Sequence, residues 1–445
     1  MINTRYFKIV ALGLLLSTSA CEVLDVEPQA SLPADTAFST RIGVEAGLIG
    51  AYSALQSGNY QGLRYWLFAD LATENVAHTG SFPSFAQIEQ NNILADNVEI
   101  SNMWNTIYNG INRVNNLIVY IPNIQDPAFN NEQALAEARF LRAYHYFNLI
   151  NYFGGSPTGY GEGGVGVPLI LTPTLSPADA EPKTRASEEQ VIAQVITDLE
   201  FAKGALPVTS RGRATQGAAS ALLSRVHLYQ ENYAEAAAEA KVVMDLNKFT
   251  LAANYADIYD LKNTPESIWE LQFDAVNNNA IAFFWLPTSL GGRNEVSPTG
   301  ALAAAHETGD KRLAVNNFTS LYTSKYRRIS DGTDHVLLIR YAEVLLNRAE
   351  ALARIGGPEN EVEALTLLNR IRTRAGLAPI ALTGQALIDA ILKERRIELA
   401  HEGHYWFDLR RTNTTGLADA DKNLWPIPQR EVLTSAGVIT QNKGY

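Results

Sequence analysis

The chain has 445 residues, with 36 lysines and arginines against 47 aspartates and glutamates, a formal charge of −11. That balance excludes nucleic acid, whose phosphates need a basic face, and argues against a polyanion held by bulk charge. A single cysteine permits no disulfide within the chain, so burial must hold the fold, and the length is ample for a core.

Residues 1–20 read as an export signal. Arg5 and Lys8 give a basic start, Ile9 to Leu16 a short apolar run, and Thr18-Ser19-Ala20 a small-residue cleavage site. The run is too short to span a membrane. Cys21 follows directly, which predicts cleavage before it and acylation of its thiol, so that the chain is held on a membrane by its N-terminal lipid only. Without the signal, 34 basic residues face 47 acidic ones, a charge of −13. Glu22, Asp25 and Glu27 open a tether that runs to about Thr40.

Beyond it, the spacing predicts a helix over 44–57, then a segment Leu63 to Leu71 carrying Trp66 and Phe68. A polar loop studded with aromatics follows over 72–87. From Met103 the period turns helical, with Trp104, Ile107, Ile111 and Ile118 on one face. A second helix over about Asn131 to Tyr152 ends at Gly154-Gly155, and the short turn between the two predicts antiparallel neighbours. Residues 154–183 hold seven glycines and five prolines and read as a long irregular segment. It is no phosphate loop, because no Gly-Lys-Ser/Thr follows. Ser187, with Gln190 three residues on, predicts a capping box that starts a helix running to Lys203.

Residues 215–246 carry the spacing Tyr229, Tyr233, Ala236, Ala240, that of a tetratricopeptide unit with small residues where two helices touch. The same grammar returns at 334–375. There Tyr341, Val344, Leu345 and Leu352 line one helix, Gly356-Gly357-Pro358 breaks it, and Leu365, Leu368 and Ile371 line the next. Three helix pairs separated by long inserts predict a mainly helical, all-α fold: a tetratricopeptide-like scaffold with irregular insertions and a few short strands. Between Ala253 and Asp331 the helical period is lost, and Ile268 to Phe273 alternates as a strand. The expected organisation is one domain over 21–445, with halves of about 21–250 and about 251–445.

The segment 390–412, AILKERRIELAHEGHYWFDLRRT, has an unusual charge pattern. Glu394, Glu398 and Glu402 stand four apart and so stack on one helix face, where like charges repel unless cations answer them. Arg395, Arg396, Arg410 and Arg411 are the candidates within reach, which predicts a partly buried carboxylate–guanidinium lattice fixing how helices dock. The wording ERR-x-E-L-x-x-E-G-x-x-x-x-D-L-x-R resembles the C-terminal signature of the SusD/RagB family of outer-membrane nutrient-binding lipoproteins. It is carried here by Glu394, Arg395, Arg396, Glu398, Leu399, Glu402, Gly403, Asp408, Leu409 and Arg411, with His404 standing where the pattern would place an arginine. Trp104-x3-Tyr108-x2-Ile111-x3-Asn115-x2-Ile118, the run Ala138 to Tyr144, Arg340-Tyr341-Ala342-Glu343 and Leu424 to Pro428 extend the resemblance along nearly the whole chain. It implies a lipid-anchored, cell-surface protein of the outer membrane that binds a nutrient, most readily an oligosaccharide. Its implied partner is a TonB-dependent transporter, to which the nutrient passes without catalysis.

The residues themselves offer little for chemistry. His401 and His404 flank Glu402 but are three apart rather than the four a metalloprotease helix needs, so they read as structural, as does His145 on the apolar side of its helix. No nucleophile elbow appears, no two acids are singled out as a glycosidase pair, and no metal or cofactor is expected. The aromatic loops are more informative. Phe82, Phe85, Phe283, Phe284 and Trp285 lie in stretches rich in Gly, Asn, Ser and Pro, where an aromatic ring either pins its own loop or meets a ligand. Sugar rings offer apolar C–H faces to such side chains. Asn75, His78, Asn278 and Arg293 could then pair with their hydroxyls. Two other readings stay open at this point: an exported helical-repeat adaptor that binds protein or peptide, and a glycan hydrolase with an unmarked carboxylate pair.

Overall fold

The computed structural model describes residues 32–161, 163–210, 212–317 and 322–445. The expected export signal and the expected lipidation at Cys21 fall outside the described residues. After a single helical turn at Ala34–Ala37, the first long helix, α1 (Arg41–Leu55), is capped by Thr40, whose side chain accepts from the Gly43 N–H. Short α2 (Arg64–Leu71) is buried almost throughout and carries Trp66 and Phe68 into the core.

An array of helices then forms the body. Helix α3 (Val98–Tyr120) packs on α4 (Asn131–Phe153), α4 on α5 (Glu188–Ala205), and α5 on α6 (Gln216–Tyr229). Both helices of the expected first pair are present, and α3 begins five residues before Met103. Helix α5 opens with the Ser187/Gln190 capping box. The next pair is α6 with α7 (Tyr233–Asp245), where Ala236 and Ala240 are fully buried and the Ser224 hydroxyl donates to the Ala236 carbonyl at 2.8 Å. Small side chains there let the axes come close.

After Asp245 the chain leaves the array. It returns at α8 (Tyr341–Ile355), which packs on α7, on α9 (Pro358–Arg374) and on α10 (Gly384–Glu398). The helix pairs read from the sequence are therefore joined into one stack, with 246–340 as an excursion from it. Short α11 (Tyr405–Arg411) follows the signature helix and rests on α2.

Among the described residues, strands are few and come as three antiparallel ribbons. β1 (Val76–His78) pairs with β5 (Val296–Pro298), β2 (Val165–Pro168) with β3 (Arg185–Ser187), and β4 (Ser267–Leu271) with β6 (Val336–Arg340). The β2 pairing corrects the reading of 154–183 as wholly irregular. Its glycines hide a four-residue strand whose Val-Gly-Val-Pro is too short to show a period. No described helix is long and apolar enough to cross a membrane.

The signature stripe is buried, and its counter-ions are not the expected ones. Arg312 reaches Glu394 and Glu398 at 2.5 and 2.9 Å. Arg340 reaches Glu398, Glu402 and Glu266 at 2.6, 2.7 and 2.7 Å. Lys325 sits 2.8 Å from Glu402, and Arg374 closes on Glu398 and Glu266. The neighbouring arginines are spent elsewhere. Arg395 and Arg411 hold Asp408 and Glu350, Arg396 holds Glu74 and Asn75, and Arg410 donates to the carbonyls of Asn151 and Gly154. Arg396 stands two residues from both Glu394 and Glu398, and residues two apart do not share a helix face; Arg395, three residues before Glu398, is drawn instead to Asp408 at 3.0 Å and Asn347 at 2.6 Å. Burial would raise the Glu402 carboxyl, but Arg340 and Lys325 outweigh it and hold it down at about 2.

Candidate functional site

The β1·β5 ribbon brings residues 72–90 against the 246–340 excursion, and the aromatics expected on loops stand instead on two short helices: Phe85 on Pro83–Glu89, which Phe82 precedes, and Phe283, Phe284 and Trp285 on Ile281–Trp285. Register pairs Val76 with Pro298, Ala77 with Ser297 and His78 with Val296. Past its end the Thr79 and Gly80 N–H groups donate to the Glu295 carbonyl at 2.9 and 3.1 Å. The Glu295 carboxylate has no exposed surface. Its Oε1 accepts from the Ser81 and Phe82 N–H groups at 3.1 and 2.8 Å and contacts His78 Nε2 at 2.9 Å, while Oε2 accepts from Arg293 Nε at 2.5 Å. Burial pushes this carboxyl up, but the hydrogen bonds from Arg293, Phe82 and His78 prevail and hold it below the usual range. A Cβ at residue 80 would lie 2.2 Å from Glu295 Oε2, so only glycine lets the loop close here.

Arg293 does more than pair. Its guanidinium lies over the Phe82 ring, 3.9 Å from the centroid, and Nη2 donates to the Ser81 hydroxyl at 3.0 Å. Phe82, Phe85 and Phe284 form a three-ring cluster, with centroids 5.5, 5.9 and 6.3 Å apart. Phe85 is fully buried and Phe284 nearly so, which makes these two the floor. Phe283, stacked edge-on against Phe284, keeps 42% of its surface exposed, and Val276 on the same excursion keeps 89%. Large apolar groups left open beside fixed polar ones are what a ligand surface requires.

The structure thus gathers His78, Phe82, Phe85, Phe284 and Arg293 around one carboxylate. It does not gather the other three. Asn75 is fully buried at the far end of β1, where its Oδ1 accepts from Arg396 Nε at 2.8 Å. Trp285 is fully buried against His401 and Tyr326, with ring centroids 4.8 and 6.4 Å away, and shows no open face. Asn278 is exposed further along the excursion, beside Gly332. Sequence reading missed Glu295, Ser81 and Gly80. No spacing rule marks them: Asn294, between Arg293 and Glu295, has φ +54°, so this is not a strand in which alternate side chains share a side.

His145, His401 and His404 are packing residues. His145 is buried, stacks on Tyr60 and meets its hydroxyl at 3.2 Å; burial holds its imidazole down at about 3, hence neutral. His401 meets the Asn316 carbonyl at 2.8 Å, and burial lowers His401 and His404 to about 3 and about 4. Among the described residues, no three His, Cys, Asp or Glu side chains are grouped to hold a metal ion.

Residues 22–228 match the sequence model of a family described as starch-binding and associating with the outer membrane; residues 292–423 match that of the SusD family. A SusD-like protein of Formosa agariphila is 27% identical over 523 aligned positions, covering 100% of this chain and 99% of the relative. Among solved structures, a laminarin-binding SusD-like protein is 25% identical and superposes with a TM-score of 0.80, over 92% of this chain and 100% of the other. Surface glycan-binding protein A of Bacteroides uniformis is 25% identical, with a TM-score of 0.77, over 90% of this chain and 98% of its own. With the two family matches together spanning 22–228 and 292–423, and with the signature residues forming a buried ionic lattice, the chain belongs to the SusD family.

Proposed function

We propose that this protein is a lipid-anchored surface protein of the outer membrane that captures an oligosaccharide and passes it to a TonB-dependent transporter. The observation that carries the reading is the Glu295 clasp. It fixes two loops from distant parts of the chain so that Phe82, Phe283, Arg293 and His78 border one surface, with Asn278 further along the excursion. Phe283 supplies an apolar face for a sugar ring, and Arg293 and the Ser81 hydroxyl supply donors for its hydroxyls. Phe85, Phe284, Trp285 and Asn75 act from beneath, by holding the loops in place. The Glu295 oxygens are already committed to hydrogen bonds, so this carboxylate works as a fastener and not as an acid or base. Such an open surface buries little ligand, and affinity should be modest, as release to a transporter requires.

The test is calorimetric titration of the purified protein against a panel of soluble polysaccharides, alongside Phe283→Ala and Arg293→Ala, with each mixture assayed for new reducing ends. Saturable binding to one glycan, weakened at least tenfold in both variants and without cleavage, is the expected result. Glycan release would turn the reading to hydrolysis. Binding to a transporter barrel with no glycan bound across the panel would turn it to an adaptor.

A further inference from the structure

We infer that a second saccharide site lies in the groove between α3, the insert 168–183 and the C-terminal segment 429–439. The inference rests on the saccharide reading above but concerns a surface that reading does not use. The groove encloses about 460 Å³, within the range of small-ligand clefts. Tyr108, half-buried, forms its floor, with the buried Trp104 one helical turn away on α3 and the two ring centroids 4.8 Å apart.

Its walls are held in advance. The Tyr108 hydroxyl donates to the Pro168 carbonyl at 2.9 Å, and the Tyr146 hydroxyl meets both the N–H and the carbonyl of Ile170 at 2.7 Å. Asp179 is tied into a capping box by Ser176, which stiffens the outer wall. On the opposite side the Ser435 hydroxyl accepts from the Ile439 N–H at 3.0 Å. A wall already ordered costs a ligand little on binding.

The open groups define the ligand. Among the described residues, the Trp104 indole N–H, the Asn105 amide and the charged ends of Glu181, Lys183 and Glu431 make no hydrogen bond or salt bridge within the chain. The Tyr108 ring beside uncommitted amide and carboxylate groups matches a sugar ring, whose C–H face lies on the former and whose hydroxyls donate to the latter. Asp179, Glu181 and Glu431 outnumber Lys183, so the groove suits neutral or amino-bearing rings and repels uronate or sulfate.

The groove also has a fixed relation to the loop site. Asn97, which caps α3, donates from Nδ2 to the Ser84 carbonyl in the first loop. Trp104 and Tyr108 follow seven and eleven residues later, about 10 and 16 Å along the helix axis. Two weak sites on one rigid helix would let a single polysaccharide chain engage both, which raises avidity without a tight site at either place.

Thr434 lines the groove and is exposed, so Thr434→Trp fills it without touching the core. Retention of the intact protein and its variants would be measured in native gels containing laminarin, glycol chitosan or alginate, with thermal melting to confirm folding. We expect Thr434→Trp to weaken retention by laminarin or glycol chitosan about tenfold, with an unchanged melting temperature. Phe283→Ala should do likewise, and the double variant should lose retention. Full retention by a folded Thr434→Trp, with loss only in Phe283→Ala, would overturn the groove and leave the loop site standing. Loss in Thr434→Trp alone would support the groove and overturn the loop site. Alginate retention that Thr434→Trp abolishes would overturn the charge argument, and no retention of the unmodified protein in any gel would overturn capture and groove together.

Discussion

Replacing Glu295 by Gln keeps the shape of the clasp and removes its charge. The amide oxygen can still accept from the Ser81 and Phe82 N–H groups, but the amide nitrogen then faces Arg293 Nε, donor against donor. A hydrogen bond to a charged group contributes about 1.5–3 kcal/mol. The loss falls on loop closure, because Glu295 lies between two loops and outside the helix stack. The amides of Ser81 and Phe82 report that closure without any ligand. At about 1.4 kcal/mol per factor of ten, their hydrogen exchange should quicken by about ten to one hundred fold, while amides in α4 and α8 keep their protection. Glycan affinity should fall by a similar factor, because the ligand must now order the loops itself. Exchange at Ser81 and Phe82 that is unchanged in Glu295→Gln would refute the clasp. Equal acceleration in the helices would show instead that Glu295 supports the whole fold.

Two further expectations concern the buried charges. Arg340→Met leaves Glu266, Glu398 and Glu402 facing one another with one cation fewer, and removing one partner from a buried ionic group costs about 3–5 kcal/mol. Urea unfolding should show this, and a loss below about 1 kcal/mol would mean that Arg312, Lys325 and Arg374 suffice. Asp70 is fully buried, with Oδ2 accepting from the Gly403 N–H at 2.9 Å and Oδ1 without a partner; burial pushes its carboxyl up to about 7. The folded state then holds a proton that the unfolded chain releases near pH 4. Stability should therefore fall as pH rises from about 4 to 7, by about 4 kcal/mol in all for a shift of this size. Asp70→Asn should flatten that slope and raise the melting temperature at pH 8; an unchanged slope would refute the assignment. Glu402 and Asp408, held near 2, act in the opposite sense and withdraw stability below about pH 4.5.

Much of the scaffold was legible because its signals are local. The Ser187/Gln190 capping box, the Ala236 and Ala240 contacts and the Gly356-Gly357-Pro358 break each act within a few residues, and each stands where the pattern put it. The stripe Glu394, Glu398, Glu402 was legible as a lattice, but its partners were not. Arg312, Arg340 and Arg374 lie up to 90 residues away, and no spacing rule reaches that far. The candidate site was half legible for a related reason. Loop aromatics stand out in composition, yet composition does not separate Phe283, which is open, from Trp285, which is sealed against His401. That difference is made when the excursion folds back on the signature segment, a tertiary event.

The lattice also explains how one scaffold can carry a changeable binding surface. Arg312, Lys325 and Arg340 belong to the excursion or its return strand, while Glu394, Glu398 and Glu402 belong to the signature segment, so the ion pairs staple the excursion to the stack at its base. Gly403 seals the same junction: with φ +78°, it lies where a Cβ would sit 2.5 Å from that of Trp66 in α2. None of these groups reaches the loop surface around Glu295. The Arg396–Asn75 contact at the foot of β1 is where the signature meets the ribbon that carries the site. On the function proposed above, substitutions in 79–85 and 276–293 should alter which ligand is met without disturbing the charges that hold these segments up. Changes in the signature should act in reverse, lowering stability first and altering ligand choice hardly at all. The signature residues thus build the platform on which the β1·β5 ribbon and its two flanking segments stand.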